Sequence, residues 1–111
     1  MKKIDVFKSL PNTHYYKLTK VLSKDSRNSM VYTNANVYGP MRIVEPKNTK
    51  DFCILVENIE YTGDCSYIRT SAVKKILATT SKAIIYETMG GYYLLEQGEL
   101  INGTTQKEKS Q

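Results

Sequence analysis

The chain has 111 residues, of which 41% are hydrophobic and 24% charged, the ordinary balance of one soluble globular domain. No apolar run is near the ~18 residues that a membrane-spanning helix needs, and the first residues lack the apolar stretch of a secretory signal, so we expect a cytoplasmic protein that contacts no membrane. The formal net charge is +5, with ten Lys or Arg against three Asp or Glu in residues 1–50 and six against eight in residues 51–111. This asymmetry favours an acidic partner, either protein or nucleic acid.

The cysteine and histidine content limits metal and cofactor chemistry. The chain has two cysteines, Cys53 and Cys65, and one histidine, His14. A structural zinc site needs about four such ligands, so this set predicts no metal site, and we expect no cofactor. Cysteines of cytoplasmic proteins stay reduced, so we expect two free thiols, with Cys53 buried and Cys65 near a turn.

The first elements are a segment of undetermined structure and a strand. Residues 1–10 are compatible with a strand or a short helix, and a Pro-Asn pair predicts a turn after them. Residues 15–22 read as a strand because apolar residues recur at alternate positions. The alternation predicts one face with Tyr16, Leu18 and Leu22, interrupted by Lys20, and an opposite face with Tyr15, Lys17 and Thr19.

The middle of the chain predicts three more strands separated by polar loops. Residues 23–28 form a polar loop, and a strand with an irregular Thr-Asn-Ala-Asn middle follows over residues 29–38. A Gly-Pro pair ends it, and residues 41–44 form a short strand before the next proline. Residues 52–56 are the most apolar run, which predicts a central strand covered on both faces.

The last third of the chain predicts a hairpin. Residues 73–77 fit both a strand and a helix, because their apolar positions also show i, i+3, i+4 spacing. Two β-branched and aromatic runs, 83–88 and 92–95, flank a Met-Gly-Gly turn, a pattern typical of a tight hairpin. The tail over residues 102–111 has no large apolar residue, and we expect it to be disordered. Four side chains of the hairpin are expected in the core or at its edge: Ile84, Tyr86, Tyr93 and Leu95.

The fold class follows from short strands near ten residues apart with Gly, Pro and Asn turns between them. We expect one mainly β domain over residues 1–101, a small antiparallel barrel or sandwich, SH3-like or similar. It should contain at least five strands and at most two short helices.

The sequence lacks the residue constellation of an enzyme. His14 lies beside a predicted turn, and a Ser–His or Cys–His pair would have only this histidine to use. Gly90-Gly91 lies between two predicted strands and lacks the flanking spacing of a phosphate-binding loop. We therefore predict no catalytic residues and no enzymatic activity, with an uncharacterised hydrolase as the less favoured alternative.

Basic and aromatic residues remain as candidates for function. Cations bind phosphates or carboxylates and aromatic rings stack on bases, so a surface with both is typical of a site for an acidic macromolecule. The same residues are also compatible with an ordinary solvated strand surface. The candidate partner-binding residues, whose cations we expect to form one continuous positive surface, are Tyr15, Lys17, Lys20, Lys24, Arg27, Tyr32 and Arg42. A secondary basic set consists of Arg69, Lys74 and Lys75.

Two segments of the second half carry a distinctive pattern. Residues 68–76 read Ile-Arg-Thr-Ser-Ala-Val-Lys-Lys-Ile, and residues 88–95 read Thr-Met-Gly-Gly-Tyr-Tyr-Leu-Leu. This stretch resembles small, mostly uncharacterised proteins of phages and mobile elements of Gram-positive bacteria. In those, a segment apolar-x-Thr-Ser-x-Val-x-x-Ile precedes a strand pair Thr-x-Asn-Ser-x-Tyr-x-Leu, and Gly90-Gly91 stands here in place of Asn-Ser. The resemblance implies a small β fold in a mobile-element setting, and it implies no activity and no functional residues.

These features together predict a non-catalytic macromolecular binding module. In a mobile-element setting, the first hypothesis is a protein that inhibits a host defence factor, or another host or phage macromolecule, by occupying it. The alternative is a protein that binds nucleic acid directly through its basic N-terminal half. The sequence leaves the oligomeric state and the identity of the partner open.

Overall fold

The strands form two antiparallel sheets, and the chain passes from one sheet to the other at two places that we call corners. The computed structural model describes residues 2–24, 30–47, 51–60 and 66–101, and of residues 30–32 the backbone alone. The elements in these residues are, in chain order, α1 (Lys3–Lys8), β1 (His14–Lys24), β2 (Met30–Gly39), β3 (Met41–Val44), β4 (Cys53–Glu57), β5 (Tyr67–Arg69), β6 (Val73–Thr79), β7 (Ala83–Thr88) and β8 (Gly91–Leu100).

The strands form a larger sheet of order β2-β1-β8-β7-β6 and a smaller sheet of order β3-β4-β5, and all neighbouring strands are antiparallel. This arrangement confirms the mainly β, antiparallel class, with one short helix in the described part of the chain. The apolar run predicted as a central strand is β4, the middle strand of the smaller sheet. The prediction that it is covered on both faces is wrong, because Ile54 and Val56 are buried while Leu55 is half-buried and Glu57 is exposed on the other face. The described strands form two separate ladders rather than one closed barrel, and the SH3-like architecture stays a prediction.

The two corners hold the sheets together through backbone contacts. At the first corner β2 ends and β3 begins, and a Cβ atom on Gly39 would lie 1.7 Å from the carbonyl oxygen of Glu57, so only glycine fits there. At the second corner the chain passes from Arg69 to β6, and the Val73 N–H donates to the carbonyl of Phe52 at 2.9 Å. Each corner therefore ties a strand of the larger sheet to β4 or its flanking residues.

The first ten residues, for which the sequence allowed two structures, contain a helix. Its residue Phe7 is fully buried and makes edge contacts with Phe52 and Tyr86, at ring-centroid distances of 5.5 and 5.0 Å. The Nζ of Lys3 donates to the carbonyl oxygens of the first two residues of β6, at 3.4 and 2.9 Å. Because aromatic burial dominates the energy of so short a helix, tertiary packing rather than helix propensity decides its structure.

Strand β1 contains a bulge that reverses its faces. Tyr16 and Leu18 are buried, as the alternation predicts. Between Lys20 and Leu22, β1 has one residue more than β8, while β2 has one residue more than β1. As a result Leu22 pairs with Tyr92. The prediction that Leu22 shares a face with Tyr16 and Leu18 is wrong, because one extra residue in a strand turns the residues after it to the opposite face.

Strands β7 and β8 form the predicted hairpin, which turns at Met89 and Gly90. The hydroxyl of Thr88 accepts hydrogen bonds from the N–H groups of Gly90 and Gly91, both at 3.1 Å, and thereby closes the turn. The four hairpin side chains predicted for the core are buried, and they lie in one apolar cluster with Phe7, Leu10, Tyr16, Leu18, Val37, Phe52, Ile54, Val56 and Val73.

Other predictions have mixed outcomes. The ambiguous segment 73–77 is strand. Cys53 is buried and free, as predicted. The helix in the described residues is neither long nor apolar enough to span a membrane. The prediction of a polar loop over residues 23–28 is wrong for Ser23 and Lys24, which belong to β1, and its residues 25–28 lie outside the described part of the chain. The predictions for Arg27, Tyr32, Cys65 and the tail 102–111 also fall outside the described residues or side chains.

Candidate functional site

The outward face of the smaller sheet carries two arginines in one row across its strands. Arg42 on β3 pairs with Leu55 on β4, and Leu55 pairs with Arg69 on β5. Both arginines are exposed, while their strand neighbours Ile43 and Ile68 contact the core. Adjacent strands lie close to 4.8 Å apart, so the Cα atoms of the two arginines are separated by about 10 Å.

An exposed tyrosine extends this row. Tyr67 lies two residues before Arg69 on β5, so both side chains lie on the same face of the sheet. Tyr67 is 56% exposed, and its cross-strand partner is Glu57. We name as the arginine face the surface formed by Arg42, Leu55, Glu57, Tyr67 and Arg69.

Arg69 is held in place by a thiol. Its Nε donates to the Sγ of Cys53 at 3.5 Å, and this hydrogen bond raises the pKa of the Arg69 guanidinium, with a smaller contribution from Tyr67. Beside Arg69 a recess of about 200 Å³ opens, lined in part by Pro46, Thr70 and Ala72. The contact uses one nitrogen of the guanidinium, so the other donors stay available to a ligand.

Among the residues that the structure describes, no carboxylate forms an ion pair with either arginine. The ion pairs between described residues are Lys8–Glu45 at 3.7 Å and Lys24–Glu87 at 2.5 Å. Glu57 stands diagonal to both arginines and, in the part of the chain that the structure describes, lies within 4 Å of neither positive group. The arginine face therefore presents two unpaired guanidinium groups and one carboxylate.

The cations of the larger sheet lie next to acids or aromatic rings. Lys17 faces outward opposite Glu96 in the β1–β8 register. The Nζ of Lys20 lies 5.8 Å from the centre of the Tyr93 ring, on the inward side of the sheet. Tyr15 contacts the ring of Tyr38, at a centroid distance of 5.7 Å.

One acid, Glu87, connects the two predicted basic sets. Lys24 of the first set donates to it, and this hydrogen bond lowers the Glu87 pKa; the charge of Lys74 from the secondary set lowers it further. Lys75 is the cross-strand partner of Glu87, and Lys24 also lies 5.3 Å from the centre of the Tyr92 ring. The structure thus brings most of the predicted lysines together around carboxylates on the larger sheet, and it places Arg42 and Arg69 together on the smaller one.

A larger cleft of about 480 Å³ lies below the first corner. Its walls expose polar and apolar surface in nearly equal parts, and the Tyr16 hydroxyl at its edge donates to the carbonyl of Pro11 at 2.6 Å. The Nδ1 of His14, which also borders the cleft, lies 3.1 Å from the hydroxyl of Thr13. Between the described residues no group of three or more His, Cys, Asp and Glu side chains could hold a metal ion.

Sequence reasoning found both arginines but assigned them to different sets, and it did not select Leu55, Glu57 or Tyr67. The alternation of Tyr67 and Arg69 around an apolar residue is a visible signal of a shared face. The row itself depends on the register of three strands, which a single sequence does not display. Comparisons with protein-family models, with curated proteins and with solved structures found no match.

Proposed function

We propose that this chain is a non-catalytic binding module whose arginine face binds an acidic macromolecule. The observation that carries the proposal is the row in which Arg42 and Arg69 flank Leu55, with no carboxylate partner for either arginine among the described residues. A guanidinium presents a planar set of donors that matches carboxylate and phosphate groups, and it is more weakly hydrated than an ammonium group. Two unpaired guanidinium groups on an exposed sheet are therefore a suitable contact for an anionic surface.

The resemblance of residues 68–95 to small proteins of phages and mobile elements supplies a setting for this proposal. In that setting the module acts by occupancy: it covers a surface of a host or phage macromolecule and so inhibits it, with a host defence factor as the first candidate. Binding alone is sufficient for such inhibition, and no catalytic group is needed.

Retention on immobilised heparin, a polyanion, tests the proposed surface. The variant Arg42→Gln/Arg69→Gln removes two positive charges from the arginine face. Its matched control, Lys17→Gln/Lys82→Gln, removes two charges from the larger sheet and its β6–β7 turn. We expect the arginine variant to elute at clearly lower salt than the control, with unchanged circular dichroism. Elution of both variants at the same salt concentration would show that net charge alone binds heparin and would overturn the proposal.

A further inference from the structure

We infer that the acidic partner of the arginine face is a single-stranded nucleic acid. This inference rests on the proposed function and adds the chemical class of the ligand. It is supported by the exposed ring of Tyr67 beside Arg69, by the small area of the sheet, and by the width of the face, which spans three strands.

The arginine face combines cationic and aromatic residues. Arg42 and Arg69 supply donors for phosphates, and Tyr67, a residue that is 56% exposed, supplies a flat apolar ring on the same face. Proteins that bind single strands combine cations along the backbone with aromatic rings on which bases stack. An anion without bases would occupy the arginines and leave the Tyr67 ring in water.

The area of the arginine face is small. The three strands are 4, 5 and 3 residues long. At about 3.3 Å per residue and 4.8 Å between strands, the sheet offers on the order of 200 Å². A stable protein–protein interface needs about 800 Å² from each partner. A few nucleotides of an extended strand fit the available area, whereas a folded acidic protein would also have to contact surface outside the arginine face.

The shape of the arginine face favours a single strand over a duplex. The major groove of a duplex admits a helix or a two-stranded ribbon, and the arginine face is the broad side of a three-stranded sheet. Against a duplex this face would contact phosphates only, because the flat sides of paired bases are covered by stacking. A single strand has bases that can turn out and stack on Tyr67.

The test uses fluorescence anisotropy with a short labelled oligothymidylate and with a labelled hairpin duplex of equal phosphate number. We expect the full chain to bind the single strand more tightly than the duplex. Arg42→Gln and Arg69→Gln should each lower the slope of log K against log salt by about 0.7. Tyr67→Ala should weaken binding about tenfold without changing that slope, because it removes stacking and no charge.

Two control variants separate the effects of the aromatic ring and of charge. Tyr67→Phe retains the ring and should bind the oligothymidylate like the parent protein, whereas Lys82→Gln removes a charge outside the face and should leave the slope unchanged. Preference for the duplex, or parent-like binding by Tyr67→Ala, would overturn the inference. Heparin retention that depends on the two arginines, together with no binding of the oligothymidylate, would overturn it as well but leave the proposed function standing with a protein partner. Loss of both signals would overturn both.

Discussion

Ile84 and Ile85 are adjacent in β7, yet the side chain of Ile84 is fully buried and that of Ile85 is 41% exposed. Their β8 partners, Leu95 and Leu94, lie on the corresponding faces of the sheet. We expect Ile84→Ala to lower the free energy of unfolding by about 2–5 kcal/mol, since it leaves a cavity, and Ile85→Ala to lower it by less than about 1 kcal/mol. Urea denaturation measures both, and equal losses would contradict the assigned faces.

A second prediction concerns the hydroxyl of Tyr86, which is buried near the Thr70 side chain but makes no hydrogen bond of ordinary geometry with it or with another described residue. Tyr86→Phe removes this unsatisfied group, so we expect the free energy of unfolding to rise by about 1 kcal/mol. The control is Tyr16→Phe, which removes a hydroxyl that donates to Pro11 at 2.6 Å and should lower the free energy by about 1 kcal/mol. A loss of stability in both variants would indicate that a water molecule or another group satisfies Tyr86.

Stability should also fall at alkaline pH because of the same residue. Burial raises the pKa of Tyr86 well above the ordinary value of 10.0, and the neighbouring Tyr93 adds to the effect. Above about pH 10 the unfolded chain loses the phenol proton and the folded chain keeps it, so each further rise in pH favours unfolding until the pKa of the folded state is reached. Denaturation midpoints measured from pH 8 upward should decline less steeply for Tyr86→Phe, and parallel curves would refute the assignment.

The Lys24–Glu87 contact predicts a dependence at acid pH. The hydrogen bond from Lys24 lowers the pKa of Glu87 below the ordinary value of 4.5, so the folded chain holds this carboxylate ionised where the unfolded chain already binds a proton. Stability from this pair is complete above about pH 4.5 and is lost as pH falls through the lower pKa of the folded state. In thermal melts between pH 7 and pH 3, Glu87→Gln should therefore lose less stability on acidification than the parent protein.

A matched variant is Glu45→Gln, which removes the carboxylate of the more exposed pair with Lys8. Exposed pairs contribute little, so its acid dependence should match that of the parent protein. If Glu45→Gln and Glu87→Gln gave the same acid profile, the contact of Lys24 with Glu87 would have no measurable role.

Local sequence patterns predict the strands and the hairpin well, because period-2 apolar residues and a Gly-Gly turn act over a few neighbouring residues. They fail at Leu22, since a bulge depends on how β1 fits β2 and β8 rather than on β1 alone. They leave residues 1–10 undecided because the burial of Phe7 against Tyr86 joins distant segments. The candidate site shows the same limit: each arginine is visible in the sequence, but their shared row depends on pairing through Leu55.

The row of Arg42, Leu55 and Arg69 also sets the distance between the two arginine Cα atoms. These atoms are two strand spacings apart, about 10 Å, and the ladder of backbone hydrogen bonds fixes that interval. Each guanidinium lies at the end of a long side chain, so this Cα interval sets the centre of the range that the two groups can span rather than one fixed charge spacing. Substitutions of exposed side chains elsewhere should leave the interval unchanged, because it depends on the pairing of β3, β4 and β5 and not on those side chains.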